Sequence, residues 1–176
     1  MVHKLLYFLT GFLKCRVIDC DGKPYLERYY VGTWFGKRYF IHRFMSSDPD
    51  RGLHDHPWRW AKSYILAGGY NELVLKDDMI VTKKRRAPEI NKFDGRVFHR
   101  VLLPDENAGK TWTLFVHGPR EKSWGFLEYT YDDINQQIID SKYRDVVTKE
   151  ERKKNENWWK KPDAKTGREV RKERLR

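Results

Sequence analysis

A chain of 176 residues with 39% hydrophobic content is long enough for one compact core, and an aromatic fraction of 15% favours a β-rich fold, because flat side chains pack well on pleated surfaces. The formal charge of +11 directs attention to polyanionic partners, while only two cysteines, Cys15 and Cys20, exclude a disulfide framework and suit a reducing cytoplasm, or a host cytoplasm for a viral chain. No phosphate-cradling glycine loop, nucleophile elbow or Cys-x-x-Cys pair occurs, which removes the common nucleotide-binding, hydrolase and zinc-ribbon readings.

The N-terminal "MVHKLLYFLTGFLKC" carries an apolar run from Leu5 to Leu13 between Lys4 and Lys14. The run is too short to span a bilayer, and no small-residue cleavage site follows. Leu5, Phe8, Leu9 and Phe12 fall at helical spacing, which predicts a short helix laid on the core.

From Tyr25 to Leu127 the chain reads as strand after strand: "LERYYVGTWFGKRYFIHRFM" broken around Gly36, then "WAKSYILAGGYNELVL", "MIVTKKR", "GRVFHRVLL" and "KTWTLFVHGP". The connections "SSDPDRG", "AGG", "KDD", "PDENAG" and "HGPREKSWG" carry turn chemistry, so a sandwich or small barrel is expected. After Tyr131 the sequence turns polar and helix-compatible. From Thr148 to Arg176 there are 12 Lys/Arg against 6 Asp/Glu, a net +6 with little apolar content. One barrel domain over 1–147 and a basic extension over 148–176, helical or partly disordered, are therefore expected.

"RGLHDHPWRW", residues 51–60, is the chemically loaded segment. Residues two apart in a strand share a face, so His54 and His56 project together while Asp55 points away. Imidazole suits Fe, Ni, Cu, Mn and Zn alike, so the pair does not choose its metal. A third ligand must come from another strand. His99 in "GRVFHRV" is the best candidate, and His42 and His117 are strand residues better read as pocket lining.

"HDHPW" followed by "ILAGGYNE" and a later strand histidine resembles the cupin superfamily. His54 and His56 match the HxH pair of the first cupin motif, Gly68 its closing glycine, and His99 the histidine of the second motif. The wider pattern, "YFIHRF" through "TLFVHGPREKSWGF", is similar to a group of bacterial and phage cupin-like proteins. The glutamate ligand of the first motif falls instead on Trp60 or Ala61, and an asparagine position of the second on Leu103. The resemblance thus implies an all-β double-stranded β-helix, a jelly-roll barrel, with a three-histidine site for one divalent metal. Iron(II) is the implied metal, with Zn, Mn or Ni as alternatives. It also implies an oxygenase or dioxygenase acting on a small organic substrate, and pairing of barrels as a homodimer.

Around this centre Glu72 is expected as an extra ligand or base and Tyr64 as a catalytic hydroxyl, with Trp58, Trp60 and Tyr70 joining His42 and His117 in the pocket wall. Inward arginines among Arg43, Arg51, Arg59, Arg96, Arg100 and Arg120 would hold an anionic group, but alternation puts Arg43 and Arg100 opposite the neighbouring histidines. Trp124 and Phe126 are expected to cover one barrel end. The tail residues Trp158, Trp159, Lys160 and Lys161 offer a nucleic-acid arm against the alternative of a solvated helix face. Two rival functions remain open: a binding module without turnover for a sugar, nucleotide or protein group, and a metal-free sugar-nucleotide isomerase or epimerase.

Overall fold

A computed structural model describes residues 2–134, 137–145 and 157–174. The strands are β1 (Cys15–Cys20), β2 (Lys23–Trp34), β3 (Lys37–Phe44), β4 (Leu53–His54), β5 (Ala61–Ala67), β6 (Gly69–Lys76), β7 (Met79–Arg86), β8 (Ile90–Phe93), β9 (His99–Leu102), β10 (Thr111–His117), β11 (Gly125–Asp132) and β12 (Gln137–Asp145). Helices α1 (Val2–Thr10) and α2 (Gly167–Arg174) flank them. Two six-stranded antiparallel sheets result, ordered β1-β2-β3-β10-β5-β8 and β12-β11-β4-β9-β6-β7. Strands that follow one another often sit in different sheets, the crossing pattern of a jelly roll.

Alternation decides what faces inward. Phe40, His42 and Phe44 of β3 are buried, and β10 sets Phe115 and Thr113 directly opposite Phe40 and His42. β6 contributes Tyr70, Glu72 and Val74 from the other sheet, and β9 His99 and Val101. Between the sheets Leu26, Phe44, Ile65, Tyr70, Val101 and Leu103 form one apolar cluster, and Phe40, Ala61 and Phe115 another. The sequence boundaries at Gly36 and Gly68 are turns with positive φ. A Cβ on Gly68 would lie 2.6 Å from Thr111 Oγ1, so both the turn and the close approach of β10 require glycine there.

The outer face of the first sheet is covered too, which a half-exposed sandwich would not need. Cys15, Tyr29, Trp112 and Val170 make a third cluster with Leu6 and Leu13. The chain from 157 onward returns to this face: Cys15 N–H donates to Lys165 O, Gly167 N–H to Leu13 O, and Arg174 pairs with the fully buried Glu27. Residues 148–156 and 175–176 of the expected basic extension lie outside the described residues.

Two local expectations are corrected. Helix α1 forms, but Leu5, Phe8, Leu9 and Phe12 are its exposed side. The packed side is His3, Leu6 and Thr10: Trp112 Nε1–H donates to His3 Nδ1, and Arg171 donates to Thr10 Oγ1. Polar partners on β10 and α2, rather than the apolar stripe, fix its rotation. The polar stretch after Tyr131 is not helical where described, because Gln137–Asp145 pairs along β11 as an edge strand. Polar side chains on an exposed edge suppress strand addition, and they also erase the apolar alternation by which a strand is read.

Candidate metal centre

The ligand cluster starts from a short strand. Gly52, at φ 85°, sits so close to β11 that a Cβ would lie 2.2 Å from Leu127 O, and this approach brings β4 into register with β11. His54 then pairs with Phe126 on one side and His99 on the other. β4 ends at His54, yet Asp55 N–H still donates to Gly125 O, so His56 leaves on the same side as His54. The ring centroids of His54 and His56 are 5.1 Å apart, with His99 4.7 and 5.0 Å from them. One nitrogen from each of the three lies within 4.8 Å of the others. Asp55, turned away as alternation requires, is fully buried, accepting Gly125 N–H and pairing with Lys122.

Glu72 stands behind His99 rather than beside the other two histidines. Its Oε1 is 2.7 Å from His99 Nδ1, Asn91 donates to the same oxygen, and Arg85 Nε donates to Oε2 at 2.8 Å. Burial pushes this carboxyl upward, but the His99 hydrogen bond and charge, with Arg85 and Asn91, outweigh it and hold it down to about 2. An ionised carboxylate only accepts, so His99 Nδ1 carries a proton and Nε2 is the nitrogen turned toward the other two rings. That Nε2 is 2.8 Å from His56 Nε2, so both rings aim at one point. Burial, then the charge of His99, pushes His54 and His56 well below the ordinary histidine range, which keeps both rings neutral near neutral pH, each with one nitrogen lone pair to offer. Three converging imidazoles, one oriented by a buried carboxylate, are the donor chemistry of a divalent transition metal.

The wall is aromatic. Trp58 stacks on His56 at 5.2 Å and on His117 at 4.2 Å, Phe93 lies 4.8 Å from His56, and Phe126 lies 6.1 Å from His54. His42, stacked on Phe115, accepts a hydrogen bond from Arg28 Nε, and Tyr70 is buried against Phe44. Trp58, His42, His117 and Tyr70 are thus interior residues around the cluster. Trp124 is 5.7 Å from Phe126 and 6.5 Å from His54, closing that end. Two surface hollows, of about 470 Å³ beside Cys15 and about 650 Å³ beside Arg59, contain none of the histidines.

Other expected residues are not brought there. Tyr64 alternates with the buried Ser63 and Ile65, so it lies on the outer face of β5. Trp60 is also outside, with Lys37 and Lys62 each 5.9 Å from its ring centre. Trp159 stacks on Tyr30 at 4.1 Å with Arg38 over it, and Trp158 packs against the Phe40 cluster. These tryptophans tie the tail to the barrel, so the rings expected to stack on bases are engaged within the protein; Lys160 and Lys161 are exposed beside them. Arg43 is on the outer face as alternation requires, pairing with Glu27, and Arg100 pairs with Asp50. The residue missed in the sequence is Arg28, which shares a strand face with the inward Leu26 and Tyr30 and so points into the barrel.

His117 supplies an acid-sensitivity test. Burial pushes it down to about 4 from an ordinary 6.5, partly opposed by its bond to Gly118 O. Between those values the unfolded chain binds the extra proton, so this contribution is complete above about pH 6.5 and is lost as pH falls toward 4. The loss is on the order of 3 kcal/mol. Denaturant unfolding from pH 7 to 4 should show it, and His117→Phe should flatten that part of the profile; an unchanged slope would place the charge change elsewhere.

Neither a protein-family model nor a curated protein matches the sequence. Solved structures do match in fold. DMSP lyase DddQ from Ruegeria pomeroyi DSS-3 is 13% identical over 65% of this chain and 60% of its own, with a TM-score of 0.49. A cupin-2 domain from Rhodospirillum rubrum is 12% identical over 62% and 72%, with a TM-score of 0.48. An Fe(II)-HppE with an alternative substrate is 10% identical over 58% of this chain and 54% of that one, with a TM-score of 0.48. The match thus spans little more than half the length of the HppE chain. The strand order traced above is by itself that of an antiparallel jelly roll.

Proposed function

We propose that the protein is a metal-dependent cupin enzyme whose single divalent ion, iron(II) in the native state, is held by His54, His56 and His99. The observation that carries this reading is the convergence of three imidazole nitrogens within 4.8 Å, with the Glu72 carboxylate fixing the tautomer of one of them. The residues fit such an ion: three imidazole nitrogen donors, no carboxylate among them, and a negative group one ring away to offset the added charge. A bound iron would supply a Lewis-acid, redox-active centre at which oxygen oxidises a small organic substrate. Around it Trp58, Phe93 and Phe126 exclude water, and Glu72 holds the His99 proton at Nδ1 throughout. The oxidation is carried over from the cupin resemblance rather than from the ligand geometry.

The test is oxygen uptake by protein loaded anaerobically with iron(II) and presented with a panel of small organic acids, alcohols and thiols. Substrate-dependent uptake that disappears in His56→Ala supports the enzyme. Metal binding without uptake across the panel would favour the binding module instead.

A further inference from the structure

The interior beside the histidines holds guanidinium groups that the metal reading does not use. Arg28 lies on the inward face of β2, directly opposite Arg16 of β1. Its Nε donates to the neutral His42 at 3.0 Å, and its guanidinium lies 5.5 Å from the Phe40 ring centre. Arg51, just before β4, sits 4.6 Å above the Phe126 ring, and its Nε is buried without a hydrogen-bond partner. Phe126 in turn is 6.1 Å from His54, so this cation is one ring away from the ligands. On the other side His42 and His56 both pack on Phe115, at 4.8 and 6.3 Å, which sets Arg28 at a comparable remove.

Between the two lies Tyr25. The β1–β2 register skips it, since Ile18 faces Leu26 and Asp19 faces Pro24, and it packs against the interior cluster of Leu26 and Phe44. Such a bulge re-aims a side chain, and here it turns a phenol inward among the arginines. Burial, then Asp48, pushes that phenol up, and Arg51 and Arg28 pull it back, so it lies within the field of both cations.

Among the described residues no carboxylate forms a salt bridge with Arg16, Arg28 or Arg51. Asp48 lies within the field of Arg51 without pairing with it; its carboxylate accepts Val101 N–H at 2.8 Å and lies 3.8 Å from His54 Nδ1. A buried guanidinium left without an anion is costly, and a fold keeps such groups where a ligand supplies the missing charge. Burial and the facing Arg16 hold Arg28 down to about 10, as expected of a cation waiting for a counter-charge.

We propose that the barrel interior is an anion pocket, in which Arg28 and Arg51 grip a carboxylate or phosphoryl group of the substrate while the Tyr25 hydroxyl donates to it. This rests on the metal-centre reading for its role in turnover, but not for binding itself. Forked donors from two sides would orient an acid so that its remaining carbon framework reaches toward His54 and His56.

The test uses the full chain in two forms, metal-free and zinc-loaded, titrated calorimetrically with malonate and with inorganic phosphate. Saturable binding is expected to at least one of them, weakened about tenfold or more in Arg28→Gln and in Arg51→Gln. It should be unchanged in Arg96→Gln, whose side chain is exposed. Arg28→Lys, which keeps the charge, controls for folding and should retain part of the affinity. Preference for phosphate assigns a phosphoryl substrate, preference for malonate a carboxylate; both support the pocket. No saturable binding in either form, or equal binding by the glutamine variants, overturns it. Zinc content is read on the same samples. Zinc bound without anion binding would sink this inference alone, and anion binding without zinc would sink the metal reading alone.

Discussion

Glu72→Ala is expected to lower unfolding stability by about 3 kcal/mol, because it leaves His99 Nδ1–H and the Asn91 amide without their buried acceptor, although Arg85 keeps Glu89 and Asn91. The carboxylate is 2% exposed and accepts from three side chains, so solvent cannot substitute for it. Glu72→Gln separates the two duties of the residue. It keeps the volume and one acceptor oxygen, but it no longer fixes a proton on His99 Nδ1 by charge. Metal affinity should then fall roughly 10- to 100-fold with smaller loss of stability. Denaturant unfolding measures the first effect, and competition against a chromophoric chelator the second. An affinity unchanged in Glu72→Gln would mean that His99 is oriented by packing alone.

The second large effect is metal-linked stability. A ligand that binds only the folded chain stabilises it by about 4 kcal/mol at a thousandfold excess over Kd. For a chain of 176 residues that corresponds to a rise in Tm of roughly 8–16 °C. Zinc, which needs no anaerobic handling, should produce the rise, and a chelator should reverse it. The rise should vanish in His56→Ala, each protein being compared with its own metal-free form. A shift that survives that substitution would point to metal held elsewhere.

How much of this was legible in the sequence varies with the distance over which each feature is decided. The His54–His56 pair is a local statement about alternation, and His99 needs only one further strand with its histidine inward. The role of Glu72 is not local. It depends on β6 pairing with β9 so that Glu72 opposes Val101 and Val74 opposes His99, a register no short motif encodes. Arg28 escaped for a related reason. β2 is covered on both sides, by the barrel interior and by α1 with α2, so "LERYYVG" carries large side chains on both faces and shows no polar-out rhythm. Tyr64 fails the other way: "KSYILA" offers no clear parity, and the inward register is set by pairing with β10, where Ser63 faces Phe115. In α1 the strongest apolar stripe is the exposed one, since His3 meets Trp112 of β10 and Thr10 meets Arg171 of α2, while Phe8 and Phe12 stay exposed. The tryptophans of the tail illustrate a limit of composition. Positive charge beside aromatic rings fits nucleic acid, but it equally fits a strap whose rings are anchored on Tyr30 and the Phe40 cluster.

The account stands or falls on the metal. Elemental analysis of purified, untagged protein beside the triple variant His54→Ala/His56→Ala/His99→Ala addresses it directly, with anaerobic iron(II) reconstitution of both. The account predicts close to one equivalent of a transition metal in the native chain and none in the variant. No metal in either after reconstitution, or equal metal in both, would contradict it.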